Sequence, residues 1–211
     1  MRDAFLKQLE ELHKMLAEMG SLCEDMIDGT YEALMNMDRD QAAKILAADA
    51  NVDLKERDIE SKCLKLLLEQ QPVASDLRTI SSTLKMITDL ERIGDQAGDI
   101  AEIIKTTDLL QPVKATRLGE MAKAVASMVR ESIDSFANAD LKKTKEVIAY
   151  DDVIDGLFDE VKKELADGIL NREATQEQIL DTLMIAKYYE RIGDHATNIA
   201  EWSEYAITGV H

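Results

Sequence analysis

Two short segments of the chain place oxygen-bearing side chains four residues apart. The residues are Glu91, Asp95 and Asp99 in one segment and Glu190, Asp194 and Asn198 in the other. On an α-helix this spacing aligns side chains on one face, because each residue turns the helix by about 100°. The leucine, isoleucine and alanine residues of the same segments fall on the opposite side. Each segment therefore predicts a helix with one face for a core and one face of oxygen ligands.

The ligand set indicates which ions such a face would bind. Carboxylates with one amide, and no thiolate nearby, are typical ligands of hard cations such as magnesium, manganese, calcium or iron. A ferritin-like di-iron centre needs two Glu-x-x-His motifs, and only Glu10 with His13 has that spacing. His195 lies beside Asp194 but off the arc of the ligands, so an exposed or interfacial histidine is the better interpretation.

A solvated acidic face is the alternative to a metal site. Like charges four residues apart destabilise a helix by about 0.2–0.5 kcal/mol per pair, and no lysine or arginine falls within the acidic stripe. The pattern also occurs twice beside glycines, each of which costs about 1 kcal/mol in a helix interior. Gly94 and Gly98 would allow another helix or an ion to approach closely. From the residues alone, both interpretations stay open.

A second repeated pair of acids lies earlier in each half of the chain. Asp49 and Asp53 have the same spacing as Asp151 and Asp155. These aspartates either support the same sites or are solvated, and the sequence pattern favours solvation slightly.

Apolar residues recur at helical spacing along almost the whole chain and predict six helices. The first two carry stripes beginning at Leu6 and Ala43. The other four are predicted over 77–104, 115–138, 140–170 and 175–207. Before the third helix, the proline in Gln71-Pro72 disfavours helical geometry, and Ser75 or Asp76 can cap the helix. Thr175 with Gln178 fits a capping box at the start of the sixth helix.

The two halves of the chain repeat each other. The segment 91–95 returns as 190–194, at an offset of 99 residues, and the earlier parts of each half match at an offset of 102. A repeated unit of about 100 residues predicts an all-α fold of two tandem three-helix bundles related by pseudo-two-fold symmetry. The repeats are assigned to residues 1–108 and 109–211. Their six long helices pack antiparallel, with the third and sixth side by side between the bundles.

Composition excludes several functional classes. The 25 Lys and Arg residues against 42 Asp and Glu give a net charge of −17, which disfavours binding to nucleic acid or to anionic lipid. No run of about 18 apolar residues predicts a membrane span, and no apolar signal core follows Met1, so a cytoplasmic location is expected. The absence of a phosphate-binding loop and of a nucleophile motif indicates that the protein is not an enzyme.

These motifs together resemble the PhoU family of phosphate-signalling regulators. The two Glu-Arg-Ile-Gly-Asp segments, extended to Asp99 and Asn198, are similar to the metal-binding signature of that family. The segment 71–78, Gln-Pro-Val-Ala-Ser-Asp-Leu-Arg, is similar to its other well-marked segment. The resemblance covers almost the whole chain, including its length and duplication.

The resemblance implies a metal-binding negative regulator of phosphate uptake and phosphate-starvation signalling. Such a protein couples the ATPase subunit of the phosphate ABC transporter to a membrane sensor histidine kinase, and often forms a homodimer. The implied cofactors are divalent or ferric ions (iron, manganese or magnesium) in multinuclear clusters. The implied metal ligands are Glu91, Asp95, Asp99, Glu190, Asp194 and Asn198. Because Asn198 replaces a carboxylate, the second site is expected to hold metal more weakly or to hold fewer ions.

Two functions of other classes compete with this interpretation. A carboxylate-bridged metalloenzyme would need histidine ligands and a buried site, whereas the helical pattern puts the acids opposite the apolar face. A metal-free helical scaffold would leave the repeated acidic stripe unexplained.

Overall fold

The computed structural model of the protein describes residues 2–70, 72–109, 116–171 and 174–210, and all regular structure in these ranges is helical. The six helices are α1 (Arg2–Asn36), α2 (Arg39–Gln70), α3 (Ala74–Thr106), α4 (Leu118–Ala137), α5 (Leu141–Asn171) and α6 (Gln176–Thr208). The predicted number and order of helices are confirmed. Gln71 and Pro112, which the sequence places in connections, lie outside the described residues. The boundary predicted between residues 108 and 109 falls at the end of a described range, and it stays a prediction.

The start of α3 differs from the prediction. Neither Ser75 nor Asp76 caps the helix, because the helix begins earlier than expected, at Ala74. Val73 occupies the N-cap position in an extended conformation and makes no side-chain capping hydrogen bond. Asp76 lies within the first turn instead, where its charge interacts favourably with the positive end of the helix dipole.

The capping box at the start of α6 is confirmed. The backbone N–H of Gln178 donates to the hydroxyl of Thr175 at 3.2 Å, and the N–H of Thr175 donates to the Gln178 side chain at 2.9 Å. These two bonds satisfy donors that a helix N-terminus would otherwise leave unpaired. The C-cap residue of α6 is Gly209, whose φ of 76° suits a residue without a Cβ atom.

The six helices form two three-helix repeats that share one core. Helices α1, α2 and α3 pack together, as do α4, α5 and α6. The repeats meet where α3 packs against α6 and where α1 packs against α4, so α2 and α5 lie on the outside. The buried apolar residues of both repeats form a single cluster. The predicted position of the third and sixth helices between the bundles is therefore confirmed.

Helices α3 and α6 run antiparallel. Asp89 on α3 accepts a hydrogen bond from Asn198 on α6, whereas Thr107 near the end of α3 donates one to Asp181 near the start of α6. Residue numbers thus rise along one helix as they fall along the other. This arrangement is what a pseudo-two-fold axis between the repeats requires.

One buried hydrogen bond joins the repeats across the core. The side chain of Tyr189 on α6 is fully buried, and its hydroxyl lies 2.9 Å from the hydroxyl of Thr30 on α1. Thr30 also donates to the backbone carbonyl of Ile27. Because a buried phenol without a partner would be costly, this bond fixes the position of α6 against α1.

We expect Tyr189→Phe to lower the free energy of unfolding by about 0.5–1.5 kcal/mol, the usual worth of one such hydrogen bond. Thr30 keeps its bond to Ile27, so the variant leaves no orphaned hydroxyl. Urea unfolding followed by circular dichroism measures the change. The control is Tyr150→Phe at a side chain that is 40% exposed, which should stay within about 0.5 kcal/mol of the parent.

Candidate metal centres

The acidic face of α3 is formed as its sequence predicts. Glu91, Asp95 and Asp99 are half-buried along one side of the helix. Ile93 and Ile100 are fully buried on the other side, in the shared core. The burial of the apolar side of α3 therefore holds three carboxylates in a row at the surface.

Helix α2 adds further acids to this row. The preference for solvated aspartates is wrong for Asp49, which is half-buried, and right for Asp155, which is exposed. Burial raises the pKa of the Asp49 carboxyl above its usual range, and the negative charges of Asp95, Asp53 and Asp99 raise it further. Asp49 thus lies among the carboxylates of α3. The repeated spacing of Asp49 and Asp53 was visible in the sequence. That these aspartates pack against the acidic face of α3 could not be predicted from it.

Glu56, one turn after Asp53 on α2, also belongs to this cluster and was missed by the sequence analysis. Burial raises the pKa of Glu91, and the charges of Asp95, Glu56 and Asp53 act in the same direction while Arg92 opposes them. The cluster of the first repeat, called site 1 below, therefore contains six carboxylates. They belong to Asp49, Asp53, Glu56, Glu91, Asp95 and Asp99.

Gly94 allows α2 to approach α3 at this cluster. A Cβ atom at Gly94 would lie 3.2 Å from Cγ1 of Val52 and 3.3 Å from Oδ1 of Asp49. The absence of a side chain at Gly94 therefore provides the room that this oxygen occupies, as the sequence predicted. Gly98 does not have this role, since a Cβ atom there would meet nothing within 4 Å.

The oxygen beside Gly94 lacks a hydrogen-bond donor. Oδ1 of Asp49 is buried and makes no hydrogen bond within the described part of the chain. A buried carboxylate oxygen without a donor is costly, and a cation bound there would supply the missing interaction. This atom is where the residues present fit a metal ion best.

The acidic stripe is not free of basic side chains, and that expectation was wrong. The guanidinium of Arg92 lies 2.9 Å from Asp95 and 3.4 Å from Glu91. Helical spacing alone places Arg92 about 100° from Glu91, but its long side chain reaches back along the surface. The Arg92 side chain is 55% exposed, and exposed ion pairs of this kind contribute little to stability.

The second repeat has the same framework. Gly193 faces Ile154 on α5 just as Gly94 faces Val52 on α2, which confirms both sequence offsets in three dimensions. Its cluster, called site 2 below, contains Glu190, Asp194, Asp151 and Asp155. Asp194 is exposed, but partial desolvation of its carboxyl raises the pKa, and Glu190 and Asp151 raise it further while Lys187 lowers it.

Site 2 differs from site 1 in its hydrogen bonds and ion pairs. Asp151 accepts a hydrogen bond from the hydroxyl of Thr197 at 3.1 Å. The ammonium group of Lys187 pairs with the carboxylate of Glu190, whose side chain is only 13% exposed. Lys187 therefore breaks the expectation that no basic side chain contacts the stripe, because a spacing of three residues brings it onto the same face.

Asn198 contacts the other repeat. Its amide nitrogen donates to Oδ1 of Asp89 on α3 at 3.1 Å, and Nδ1 of His195 lies 2.9 Å from the same oxygen. His195 is therefore interfacial, in line with the interpretation from sequence. Across the pseudo-two-fold axis, the hydroxyl of Tyr188 lies near Asp99; burial and neighbouring acids raise the pKa of that carboxyl, and Tyr188 opposes the rise. Asp89 and Tyr188 were not found from the sequence, since only the antiparallel packing of α3 and α6 brings them to these sites.

The six predicted ligands thus lie in two separate places. Site 1 contains Glu91, Asp95 and Asp99, and site 2 contains Glu190 and Asp194 with Asn198 at the seam. Within residues 2–70, 72–109, 116–171 and 174–210, no three His, Cys, Asp or Glu side chains converge on one point as in a formed metal site. Carboxylates of like charge spread apart by repulsion, so the residues share a surface without meeting at a single centre.

The fold and these two surfaces define a class of protein: all-α, with two tandem three-helix repeats and a carboxylate-rich face on each. The chain belongs to the PhoU family. The sequence model of the PhoU domain matches it twice, over residues 16–104 and 118–203.

Relatives match this chain over nearly its full length. A phosphate-specific transport system accessory protein PhoU homolog from Clostridium acetobutylicum is 39% identical over 210 residues, covering 99% of this chain and 96% of that protein. The crystal structure of PhoU from Pseudomonas aeruginosa is 32% identical and superimposes with a TM-score of 0.88, covering 98% and 100% of the two chains. The phosphate transport system regulatory protein PhoU from Streptococcus pneumoniae is 27% identical with a TM-score of 0.90, covering 98% of each chain. These likenesses confirm the predicted family and fold class.

The raised pKa values predict how stability depends on pH in the presence of a chelator. A carboxyl whose pKa is higher in the folded protein than in the unfolded chain destabilises the fold at neutral pH. That penalty decreases as the pH falls through the raised pKa and is gone below the ordinary value of about 4. We therefore expect the melting temperature to rise as the pH is lowered from 7 towards 5.

The variant Asp49→Asn should raise the melting temperature at pH 7 and flatten this pH dependence, because it removes one of the repelling charges. Differential scanning fluorimetry with EDTA measures both effects. Asp58→Asn at an exposed position on α2 is the control and should leave the profile unchanged. A parent profile that falls between pH 7 and 5 would contradict the assigned repulsion.

Proposed function

We propose that the protein is a non-enzymatic negative regulator of phosphate uptake and of phosphate-starvation signalling. The observation that carries this proposal is the full-length match to phosphate-specific transport system accessory proteins. The acidic sites support a binding role over a catalytic one. Asp194 and Asn198 are exposed, whereas a carboxylate-bridged metalloenzyme would need a buried centre with histidine ligands.

The proposed partners are the ATPase subunit of the phosphate transporter and a sensor histidine kinase. A chain with a net charge of −17 complements a basic partner surface, and such complementarity accelerates association and favours the correct partner. Among the described residues, no helix is long and apolar enough to cross a membrane. Contact with membrane-bound partners would therefore come from docking on their exposed domains. Homodimer formation is part of the same proposal.

The proposed cofactors are divalent or ferric ions held by carboxylates of the two sites. The unpaired Oδ1 of Asp49 and the raised pKa of the Asp49 carboxyl, which follows first from burial and then from neighbouring acids, support this assignment. A hard cation suits these oxygen ligands. When bound, the ion would neutralise the acidic surface and so change the potential that a partner meets.

Deleting the gene should switch on phosphate-starvation genes in phosphate-rich medium. The physical reason is that a kinase without its regulator no longer receives the signal of ample phosphate. A reporter fused to a phosphate-starvation promoter measures the effect, and a plasmid copy of the gene should restore repression. Repression that persists in a strain without any related protein would contradict the regulatory role and leave the fold unaffected.

Manganese should stabilise the protein by about 2.7 kcal/mol when its concentration is about 100 times its Kd, because a ligand stabilises the state that binds it. The double variant Glu91→Gln, Asp95→Asn should lose this stabilisation at site 1. Thermal unfolding with Mn²⁺ and with EDTA measures the difference. The control is Asp58→Asn, Glu69→Gln at exposed positions of α2, which should respond as the parent does. A melting temperature that does not change when Mn²⁺, Mg²⁺ or Fe³⁺ is added would contradict metal binding.

A further inference from the structure

The two sites differ at four equivalent positions. In each pair the residue of site 2 does one of three things: it stands in place of a carboxylate of site 1, carries a positive charge, or supplies a hydrogen-bond donor to a carboxylate. The pairs are Glu56 and Phe158, Thr88 and Lys187, Gly98 and Thr197, and Asp99 and Asn198. The packing of Val52 on Gly94 and of Ile154 on Gly193 shows that these positions correspond in space as well as in sequence.

Lys187 introduces a positive charge inside site 2. Its ammonium group pairs with Glu190 and lies 5.5 Å from the centre of the Phe158 ring. In site 1 the equivalent positions are occupied by Thr88, whose hydroxyl donates to the carbonyl of Leu84, and by Glu56. A lysine that pairs with a carboxylate of an acidic cluster supplies part of the positive charge that a metal ion would otherwise supply.

Thr197 satisfies the aspartate that corresponds to Asp49. Its hydroxyl lies 3.1 Å from Oδ1 of Asp151 and 3.2 Å from the backbone carbonyl of Gly193, so its one proton is within reach of the Asp151 oxygen. Site 1 has Gly98 at this position, and Oδ1 of Asp49 is left buried without a donor. The oxygen that lacks a partner in site 1 therefore has one in site 2.

Asp89 explains why position 198 is not a carboxylate. The Asn198 amide donates to Asp89, and an aspartate there would face Asp89 with a second negative charge. At the mirror position Asp99 faces Tyr188, which carries a neutral hydroxyl in place of a carboxylate. An acid is thus tolerated at position 99 and an amide is needed at position 198.

The arginine in site 1 does not cancel this difference. Arg92 contacts Glu91 and Asp95 from the outside, with 55% of its side chain exposed. The pair of Lys187 with Glu190 is less exposed, at 44% and 13% of the two side chains, than the pair of Arg92 with Glu91, at 55% and 22%. Arg191, the residue equivalent to Arg92, lies near Asp99 across the seam, where its charge opposes the rise in the pKa of that carboxyl that burial and neighbouring acids cause.

We propose that the two sites are functionally unequal: site 1 binds the metal ion, whereas in site 2 Lys187 pairs with Glu190, Thr197 contacts Asp151, and Asn198 stands where site 1 has a carboxylate. This inference rests on the proposed metal binding. It predicts one tight site for Mn²⁺ per chain and a second site at least about tenfold weaker, a difference of the size that neighbouring groups typically produce in metal affinity.

Isothermal titration of the full chain with Mn²⁺, after treatment with chelator, tests the inequality. The variant Asp49→Asn, Asp95→Asn should lose the tight binding. The equivalent variant Asp151→Asn, Asp194→Asn should keep it, with Kd unchanged within about twofold. Each variant relieves repulsion between carboxylates and should fold, and circular dichroism verifies this.

A reciprocal exchange tests the role of Lys187. Lys187→Thr should strengthen Mn²⁺ binding at site 2 by about tenfold or more, and Thr88→Lys should weaken site 1 by a similar factor, because each moves the ammonium group between equivalent positions. Lys162→Thr is the matched control. Lys162 lies over the same Phe158 ring but pairs with Asp159 rather than Glu190, so its removal should leave both sites unchanged.

The outcomes separate this inference from the proposal on which it depends. Two sites of equal affinity, each lost with its own pair of aspartates, would overturn the inequality and leave metal binding intact. If Lys187→Thr left the Mn²⁺ affinity of site 2 unchanged, that result would overturn the proposed role of the lysine. A parent protein that binds no Mn²⁺ at all would overturn both the inference and the proposed metal binding.

Discussion

Hydrophobic burial on one face of α3 holds mutually repelling carboxylates together on the other. Fully burying an isoleucine or leucine stabilises a fold by about 1.5–3 kcal/mol, and α3 buries Ile80, Ile93 and Ile100 among others. Repulsion between acids four residues apart opposes this by only about 0.2–0.5 kcal/mol per pair. The apolar face therefore determines where the helix lies, and the acids remain on the surface that is left. The contact of Val52 with Gly94 then adds the acids of α2 to the same surface.

The pseudo-two-fold symmetry gives the same framework to both repeats without requiring the same chemistry. The glycine contacts and helix packing that hold each site together are preserved in both repeats, whereas the side chains that face the carboxylates are not. Asp89 and Tyr188 are equivalent residues, and each contacts the opposite repeat at the position of a predicted ligand. The antiparallel pairing of α3 and α6 thus makes each acidic surface depend on one residue from the other half of the molecule.

The sequence predicted the helices, the duplication and the acidic faces, because these depend on local periodicity and on residues close together in the chain. It did not predict the start of α3, since Val73 can end the extended segment without a capping side chain. It also missed the contacts of Arg92 and Lys187, because the reach of a long side chain is not contained in the helical angle of its Cα atom. The association of Asp49 with Asp95 depends on the packing of two helices, and periodicity within one helix carries no information about that distance.

The two repeats share one hydrophobic core, and this limits how they can move relative to each other. Separating them would expose the buried faces of α1, α3, α4 and α6 and break the bond between Thr30 and Tyr189. Rigid-body opening of the repeats is therefore coupled to unfolding, unlike the hinge motion of proteins whose domains meet across a small interface. An ion bound at the surface would instead leave the backbone in place and alter the electric field around it. Under the proposed function, the bound state of the protein would differ from the free state in the pattern of surface charge on an unchanged fold.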